Sequence, residues 1–177
     1  LIGSISSALA ICGISMVYGL TGSTSFAALG ALWGATSGGT TVGGQLLAGH
    51  LPIGAFVWVL LLAGFGYKVA IVPFHNYAVD VYEGAPDTVS GFLAAGSKQM
   101  GFVALFKVFL LGLLAIKANW DVMVGVIAIV TMVVGNVAAL SQTNIKRMLA
   151  YSSIAQAGYI LMALVIASSD NKAAAEY

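Results

Sequence analysis

Two lysines stand inside an apolar segment that is long enough to cross a bilayer. Lys98 and Lys107 lie in the run from about Thr88 to Ala115. Lys98 is about ten residues from the start of this run, so at about 1.5 Å per helical residue it lies about 15 Å deep, near the midplane. A charged group at that depth is costly and therefore marks a candidate functional residue. Lys98 is accordingly the stronger candidate for proton transfer.

Lys107 is the weaker candidate. Helical residues advance by about 100° each, so Lys107 points to the opposite side of the helix from Lys98, and it lies closer to the far end. Two interpretations remain open: its ammonium group extends towards the Lys117 end of the segment, or it belongs to a second proton path.

A third lysine precedes a proline and a histidine. Lys68 is followed by apolar residues up to Phe74, so the chain is still at membrane depth when it reaches Pro73 and His75. Proline removes a helical hydrogen bond and frees carbonyl groups, and such breaks are tolerated in membranes where they line a polar cavity. These residues predict a helix broken at Pro73 beside a hydrated path. The structural alternatives are a lysine that snorkels at a helix end and a histidine that only binds a freed carbonyl.

The chemistry that these residue types offer is proton exchange. Burial disfavours the charged form of an amine, so a buried lysine can gain and lose a proton near neutral pH. Histidine titrates in the same range and has two nitrogens between which a proton can shuttle. We therefore assign proton transfer to Lys68 and Lys98, and a shuttle role to His75 beside its structural alternative.

The turn after the break is acidic. We expect Asp80 and Glu83 to cap helices and to pair with lysines of neighbouring segments, with a proton-entry funnel as the alternative. Asp87 and Thr88 fit a helix N-terminus, where a side-chain oxygen accepts hydrogen bonds from free amides. Some hydroxyl groups could hold water or bond across helices, and none is specific alone: Ser97, Ser141, Thr143, Ser152 and Ser153.

The composition decides which class of protein positions these groups. Apolar residues make up 60% of the chain and charged residues only 7%, whereas a soluble domain has about 25% charged residues. So few charges cannot cover a water-facing surface, but a surface that faces lipid needs no such cover. The sequence predicts an all-α integral membrane protein with the lipid bilayer as its surroundings. Its net charge of +1 offers no field that would attract nucleic acid.

Five segments are long enough to span a bilayer as helices. They run over about 1–20, 51–72, 88–115, 120–140 and 144–167, and a glycine-rich stretch with an interfacial piece at about 26–33 separates the first two. Leu1 already lies inside an apolar segment, so we expect an internal fragment of a longer chain. Positively charged turns face the cytoplasm, so we expect a multi-pass protein of a prokaryotic plasma membrane with the Lys146-Arg147 turn cytoplasmic.

Motifs for redox centres and metals are missing from the sequence. It has one cysteine, Cys12, and two histidines, of which His50 falls in a predicted loop. These cannot supply a cysteine-ligated cluster or a haem pair, and no glycine-rich phosphate motif follows a strand. We therefore expect no cofactor and no metal in this chain.

Two segments carry a family resemblance. The first is Val72-Pro73-Phe74-His75 followed by DVYEGAP at 80–86, and the second is GNVAALSQTNIKRMLAYSS at 135–153. With Ser97-Lys98, they resemble the antiporter-like subunit N of complex I, the counterpart of mitochondrial subunit 2, in the family of NADH-quinone oxidoreductases and archaeal deazaflavin dehydrogenases. The family commonly has Trp at position 77 and Pro at position 79, where this chain has Tyr and Val. The variants Asn76-Tyr77 and Asp87-Thr88 hint at an archaeal relative that uses a reduced deazaflavin and a membrane phenazine.

The resemblance implies a fold of about fourteen helices with two inverted repeats, each containing a broken helix. Residues 1–115 would end the first repeat and residues 116–177 would begin the second. Lys68 falls on the lysine of the family's broken helix and Lys98 on the lysine of the following helix. A partner glutamate and the lysine of a second broken helix would lie outside this sequence.

The function that the resemblance implies is that of a membrane subunit in a redox-driven proton pump. It would have no redox centre of its own and would assemble with other membrane subunits of a complex I-like enzyme. The first alternative is a subunit of an Mrp-type monovalent cation/proton antiporter, which would exchange cations and protons without any redox donor. The second is a structural membrane scaffold, whose lysines would remain fixed cations paired with acids of neighbouring subunits.

Overall fold

The computed structural model describes residues 2–25, 52–112 and 117–175, and within these ranges it consists of helices and turns, without strands. Its α-helices are α1 (Ile2–Thr21), α2 (Pro52–Val69), α3 (Asn76–Gly84), α4 (Asp87–Phe92), α5 (Lys98–Phe106), α6 (Lys117–Leu140) and α7 (Ile145–Ala175). The π-helical turns Leu93–Ser97 and Lys107–Gly112 continue α4 into α5 and extend α5. The interfacial piece predicted at about 26–33 lies outside the described residues.

Several helices are long and apolar enough to cross a bilayer. In the described ranges three stretches meet both conditions, namely Asp87–Leu111, Trp120–Leu140 and Ile145–Ser168, and two shorter apolar helices cover Gly3–Gly19 and Phe56–Val69. The predicted class, an all-α membrane protein, is therefore confirmed.

The predicted break exists, but α2 ends at Val69 rather than at Val72. Ala70 has a φ of 62°, the left-handed conformation that commonly ends a helix. The residue before a proline is disfavoured in the helical region, and Pro73 itself has no N–H to donate, so the helix cannot continue through this segment. The Val72–Pro73 peptide bond is cis.

The break is held by a polar side chain of another helix. The backbone N–H of Val72 donates to Thr131 Oγ1 at 3.2 Å. The Thr131 hydroxyl, which is fully buried in α6, donates in turn to the Ile127 carbonyl at 2.6 Å. A backbone donor freed by the break is thus satisfied inside the protein, as the bilayer interior requires.

The start of α4 differs from the prediction in its cap. Pro86 is the N-cap residue and makes no side-chain capping bond, whereas Asp87 is the first helical residue. The Asp87 carboxylate is drawn away from the helix end because it pairs with Lys146 Nζ at 2.6 Å. At the start of α7 a side-chain cap is present, since Asn144 Oδ1 accepts the backbone N–H of Lys146 at 3.0 Å.

The described chain forms two compact units. The first comprises Leu1–Phe65 and Val103–Asp121. Within it α1 and α2 meet through small residues: a Cβ atom added to Gly64 would lie 2.5 Å from Ala10 Cβ, and Ser6 Oγ donates to the Gly64 carbonyl at 3.1 Å. Close contact through small residues with interhelical hydrogen bonds is a common packing mode in membranes.

The second unit comprises Gly66–Phe102 and Val122–Tyr177 and contains the break. Here α6 and α7 also cross at small residues. A Cβ atom on Gly135 would lie 2.8 Å from the backbone nitrogen of Ala155, and one on Gly158 would lie 2.6 Å from Met132 Cγ. A Cβ atom on Gly158 would also lie 2.9 Å from the Ala128 carbonyl oxygen, so both glycines face backbone, which cannot give way as a flexible side chain can.

We expect Gly135→Val to destabilise the protein because its side chain would press on the α7 backbone. Overpacking of this kind costs about 1–3 kcal/mol. The matched control is Gly125→Val on the same helix, where an added Cβ meets nothing within 4 Å. Thermal unfolding of the detergent-solubilised full-length subunit should show a lower midpoint for Gly135→Val than for the control. Equal midpoints would contradict the close crossing of α6 and α7.

Candidate functional site

Lys98 is buried and hydrogen-bonded across helices. It is the first residue of α5 and is only 5% exposed. Its Nζ donates to Ser153 Oγ of α7 at 2.8 Å, and the Ser153 hydroxyl donates to the Ala150 carbonyl at 2.7 Å. The ring of Tyr82 on α3 lies on another side, with its centroid 5.5 Å from Nζ. In the part of the chain that the structure describes, no carboxylate forms an ion pair with this amine.

An apolar cluster brings α3 against α7 beside Lys98. The buried residues of α3, Ala78, Val79 and Tyr82, share one face at helical spacing. They pack with the buried Ala150 and Ile154 of α7. Burial of these side chains fixes the position of Tyr82, so the amine lies between an aromatic ring and a hydroxyl group.

Tyr82 is a neutral partner of the amine. It lies in α3, outside the apolar stretches that could span a bilayer. Burial raises the pKa of its phenol above the ordinary value of 10.0. The side chain therefore offers the face of a neutral ring to the amine, a contact that stabilises a cation modestly.

A cavity of about 430 Å³ adjoins Ser153. Its polar lining comes from Asp87, Ser90, Lys146 and Ser153, together with Tyr82, and small or apolar residues of α4, the first π-helical turn and α7 complete the wall. A cavity of this volume has room for several water molecules, and its hydroxyl groups could bond them. Ser153 both lines this cavity and accepts the hydrogen bond from Lys98, so it lies between the cavity and the amine.

Lys68 lies close to the helix that carries Lys98, but it is not enclosed. It is in the last turn of α2 and its side chain is exposed within the described part of the chain. A Cβ atom on Gly101, one turn after Lys98, would lie 3.6 Å from Lys68 Cβ and 3.1 Å from Val69 Cγ2. Glycine at position 101 therefore allows α2 and α5 to approach each other beside Lys68. The described residues alone do not form the hydrated pocket expected around it.

Two tyrosines connect the end of α2 to the start of α3. The Tyr77 hydroxyl donates to the Lys68 carbonyl at 3.3 Å. The Tyr77 ring also stacks on Tyr67, with ring centroids 4.0 Å apart. These contacts hold α3 against the end of α2 across the break, and they involve the position where the family commonly has Trp.

The other predicted residues are less engaged. His75 precedes α3 without a side-chain capping bond, and its buried Nδ1 has no hydrogen-bond partner among the described residues. No hydrogen bond joins His75 to either lysine in these residues. Lys107 begins the second π-helical turn and is exposed, whereas Lys98 is buried, as expected for opposite sides of one helix.

The sequence did not lead us to expect the contacts that Arg147 and Asn144 make with the acids of α3. Arg147 Nη1 binds Glu83 Oε2 at 2.8 Å and its Nη2 lies 3.4 Å from Asp80 Oδ1. Asn144 Nδ2 donates to Glu83 Oε1 at 2.8 Å. The acids were expected to pair with lysines, but an arginine of a distant turn binds both of them. The available signal was the spacing of Asp80 and Glu83, which places two carboxylates on one face of a helix.

These features define a helical membrane protein with a broken helix beside a buried amine. Residues 1–176 match the family described as NADH:quinone oxidoreductase/Mrp antiporter, transmembrane. The chain belongs to this family, which confirms the resemblance seen in its sequence.

Individual relatives agree with this assignment. The chain is 52% identical, over 165 residues and 93% of its length, to F(420)H(2) dehydrogenase subunit N of Methanosarcina mazei, of which it covers 31%. It resembles a chain of respiratory complex I from Thermus thermophilus, solved with bound aureothin, at a TM-score of 0.70 and 36% identity, over 93% of this chain and 32% of that one. It also resembles a chain of the Mrp complex from a Dietzia species at a TM-score of 0.77 and 21% identity, over 93% of this chain and 28% of that one. The last likeness shows the fold alone, and the chain spans about a third of the length of these relatives.

Proposed function

We propose that this chain is part of a membrane subunit that carries protons in a redox-driven pump of the complex I type. The observation that carries the proposal is the buried amine of Lys98, which lies between Ser153 and Tyr82 inside a chain of this family. A charged amine in a membrane interior is energetically costly, so its presence there marks a candidate functional group. A buried amine is also suited to exchange protons.

Lys68 and Lys98 would act in sequence along the path. Lys68 lies beside Gly101, which is about one helical turn along α5 from Lys98. Water between the two side chains would carry the proton, and the break at Ala70–Phe74 would supply polar backbone groups along the way. His75 would contribute as a shuttle, and Lys107 would have at most a minor role.

The membrane arrangement that we propose has five spans, drawn from the end of one inverted repeat and the start of the next. The three long apolar stretches and the two shorter apolar helices support this count. We place the subunit in a prokaryotic plasma membrane with the Lys146-Arg147 turn in the cytoplasm, because basic turns face that side.

Electron transfer would take place in other subunits of the assembly. Subunit N relatives are named for F(420)H(2) dehydrogenase or for NADH-quinone oxidoreductase, so either donor suits the family. We propose that this chain holds no cofactor and serves the enzyme only by proton transfer. Its partners would be the other membrane subunits of a complex I-like assembly.

Cation/proton exchange is the second candidate function. The family description includes Mrp antiporters, and the fold of an Mrp chain matches this one. The 52% identity to a dehydrogenase subunit favours the redox-driven pump. A structural scaffold is the third candidate, for which the exposure of Lys68 is the supporting observation.

Proteoliposomes that contain the whole complex separate these functions. For the pump, we expect proton uptake that starts on addition of the electron donor and persists without sodium. Proton flux driven by a sodium gradient without any donor would instead establish the antiporter. Donor oxidation without proton movement would favour the scaffold.

We expect Lys68→Ala to lower donor-driven proton uptake by roughly tenfold or more, because a group that transfers protons would be lost. The informative companion is Lys68→Arg, which keeps the positive charge but does not release its proton at physiological pH. Proton exchange at position 68 requires both variants to fail. Normal uptake in Lys68→Arg would show that Lys68 supplies only a fixed charge.

A further inference from the structure

We infer that Ser153 is a positioning residue that holds the Lys98 amine in the geometry needed for proton exchange. The inference rests on the proposed function and adds to it a residue with a defined role. Its basis is the pair of hydrogen bonds through Ser153 Oγ, one accepted from Lys98 Nζ at 2.8 Å and one donated to the Ala150 carbonyl at 2.7 Å.

The bond from Ser153 to the Ala150 carbonyl orients the hydroxyl group that accepts the bond from Lys98. Because the Ser153 hydrogen is directed at the Ala150 carbonyl one turn earlier, the oxygen lone pairs are left for Lys98. The amine can donate to them in both its charged and its neutral form, since each retains N–H groups. Ser153 therefore keeps the amine in one place while its protonation state changes.

The surroundings give Lys98 little else to bind. Within the described ranges, Ser153 Oγ is the hydrogen-bond acceptor for Nζ, and the Tyr82 ring is the remaining polar contact. The neighbouring side chains of the cluster, Ala150 and Ile154, are apolar. An amine that lost Ser153 would turn towards another acceptor, and the cavity that Ser153 lines has polar groups on its wall.

The position of Ser153 also distinguishes it from the serine beside it. Ser153 is half-buried in the wall of the cavity, whereas its neighbour Ser152 is exposed on a different face of α7, about 100° around the helix. A proton that reached Lys98 from water in the cavity would arrive at the side of the amine that faces Ser153. The hydroxyl thus holds the amine at the cavity wall without filling the cavity.

The test uses full-length subunit variants in the intact complex, reconstituted in proteoliposomes. We expect Ser153→Ala to lower donor-driven proton uptake roughly fivefold to tenfold, while Ser153→Thr, which retains the hydroxyl, recovers at least about half of it. The matched control Ser152→Ala should behave as the unmodified complex. Complex yield and donor oxidation with an artificial acceptor should stay unchanged in every variant.

A double variant separates positioning from a purely structural role. If Ser153 acts through Lys98, then Ser153→Ala added to Lys98→Ala should leave the yield and the thermal midpoint of the complex as they are in Lys98→Ala alone. A structural role would lower the yield of the complex in both backgrounds, and that result would overturn the inference.

The remaining outcomes are distinguishable. Uptake in Ser153→Ala equal to that in Ser152→Ala, together with loss of uptake in Lys98→Ala, would overturn the role of Ser153 and leave the proposed function standing. Loss of uptake in both Ser153→Ala and Ser153→Thr would also overturn it, since the hydroxyl would then not be what matters. An unmodified complex that moves no protons on donor oxidation would overturn the proposed function and this inference with it.

Discussion

We expect replacement of Lys98 by methionine to abolish proton uptake on donor oxidation while the subunit remains folded. Methionine keeps most of the length and apolar stem of lysine, so the space between α3 and α7 stays filled. Only the amine, which is the group that we assign to proton transfer, is removed. This is the largest functional effect that we expect from a single substitution.

The stability of the Lys98→Met variant should be equal to or greater than that of the unmodified subunit. A buried charge carries a desolvation cost that its partners seldom outweigh, and an apolar replacement of similar volume is often neutral or stabilising. Ser153 Oγ loses one donor, but its own hydrogen bond to the Ala150 carbonyl remains. Function and stability should therefore change independently, which is the signature of a residue kept for function.

Two measurements on the same preparation test this prediction. Donor-driven proton uptake in proteoliposomes should fall at least about a hundredfold, in the range typical of losing a proton-transfer group. The thermal midpoint should not fall. The matched control is Met100→Leu, two residues away on the same helix, where the residue is 75% exposed. Uptake retained in Lys98→Met would contradict the role of the amine, and a large fall in the midpoint would indicate a structural one.

The sequence alone predicts the features that depend on local composition and spacing. Helical depth places Lys98 near the membrane midplane, and the structure buries this residue. The chemistry of proline predicts the break near Pro73, although α2 ends a few residues earlier, at Val69. That difference arises because Ala70 takes the left-handed conformation, for which glycine is the usual residue, so the sequence gives no signal for it. Local bonds close the helix there, since the Ala70 N–H donates to the Tyr67 carbonyl and the Ile71 N–H to the Gly66 carbonyl, each at 3.0 Å. The bond from Val72 to Thr131 comes from α6, which lies far away in the sequence.

Pairings between distant segments could not be predicted in the same way. Asp80 and Glu83 are recognisable as acids on one face of a helix, but nothing local selects Arg147 over Lys146 as their partner. The selection comes from the apolar packing of α3 on α7, which carries Arg147 to both carboxylates while Lys146 reaches Asp87. Ser153 is likewise one hydroxyl among several until the fold brings it to Lys98.

Reversing the charge of Arg147 should disrupt the site without touching Lys98. Arg147→Glu would place a third carboxylate beside Asp80 and Glu83, which now share the guanidinium group. Two attractions become repulsions, and α3 is expected to move away from α7. Since α3 carries Tyr82, the amine of Lys98 would lose the ring that covers it. We expect donor-driven uptake to fall roughly tenfold or more and the thermal midpoint to decrease.

A neighbouring ion pair supplies the matched control. Lys146→Glu makes the same change in charge one residue away, but its partner Asp87 has a side chain that is 83% exposed. An exposed pair of this kind contributes about 0–1 kcal/mol. The Glu83 side chain is only 35% exposed and also binds Asn144, so its pair with Arg147 is better enclosed. Lys146→Glu should therefore have the smaller effect on both uptake and thermal midpoint.

Exchanging the charges of Arg147 and Glu83 tests whether the contact between these two side chains is required. The double variant Arg147→Glu with Glu83→Arg restores an attraction between the same two positions, so it should recover much of the uptake and stability that Arg147→Glu loses. A coupling energy measured from these variants and the single Glu83→Arg variant reports the interaction between α3 and α7. If the loss of uptake and stability in the double variant equalled the sum of the losses in the two single variants, the two residues would not act together. The position of α3 beside Lys98 would then depend on its apolar face alone.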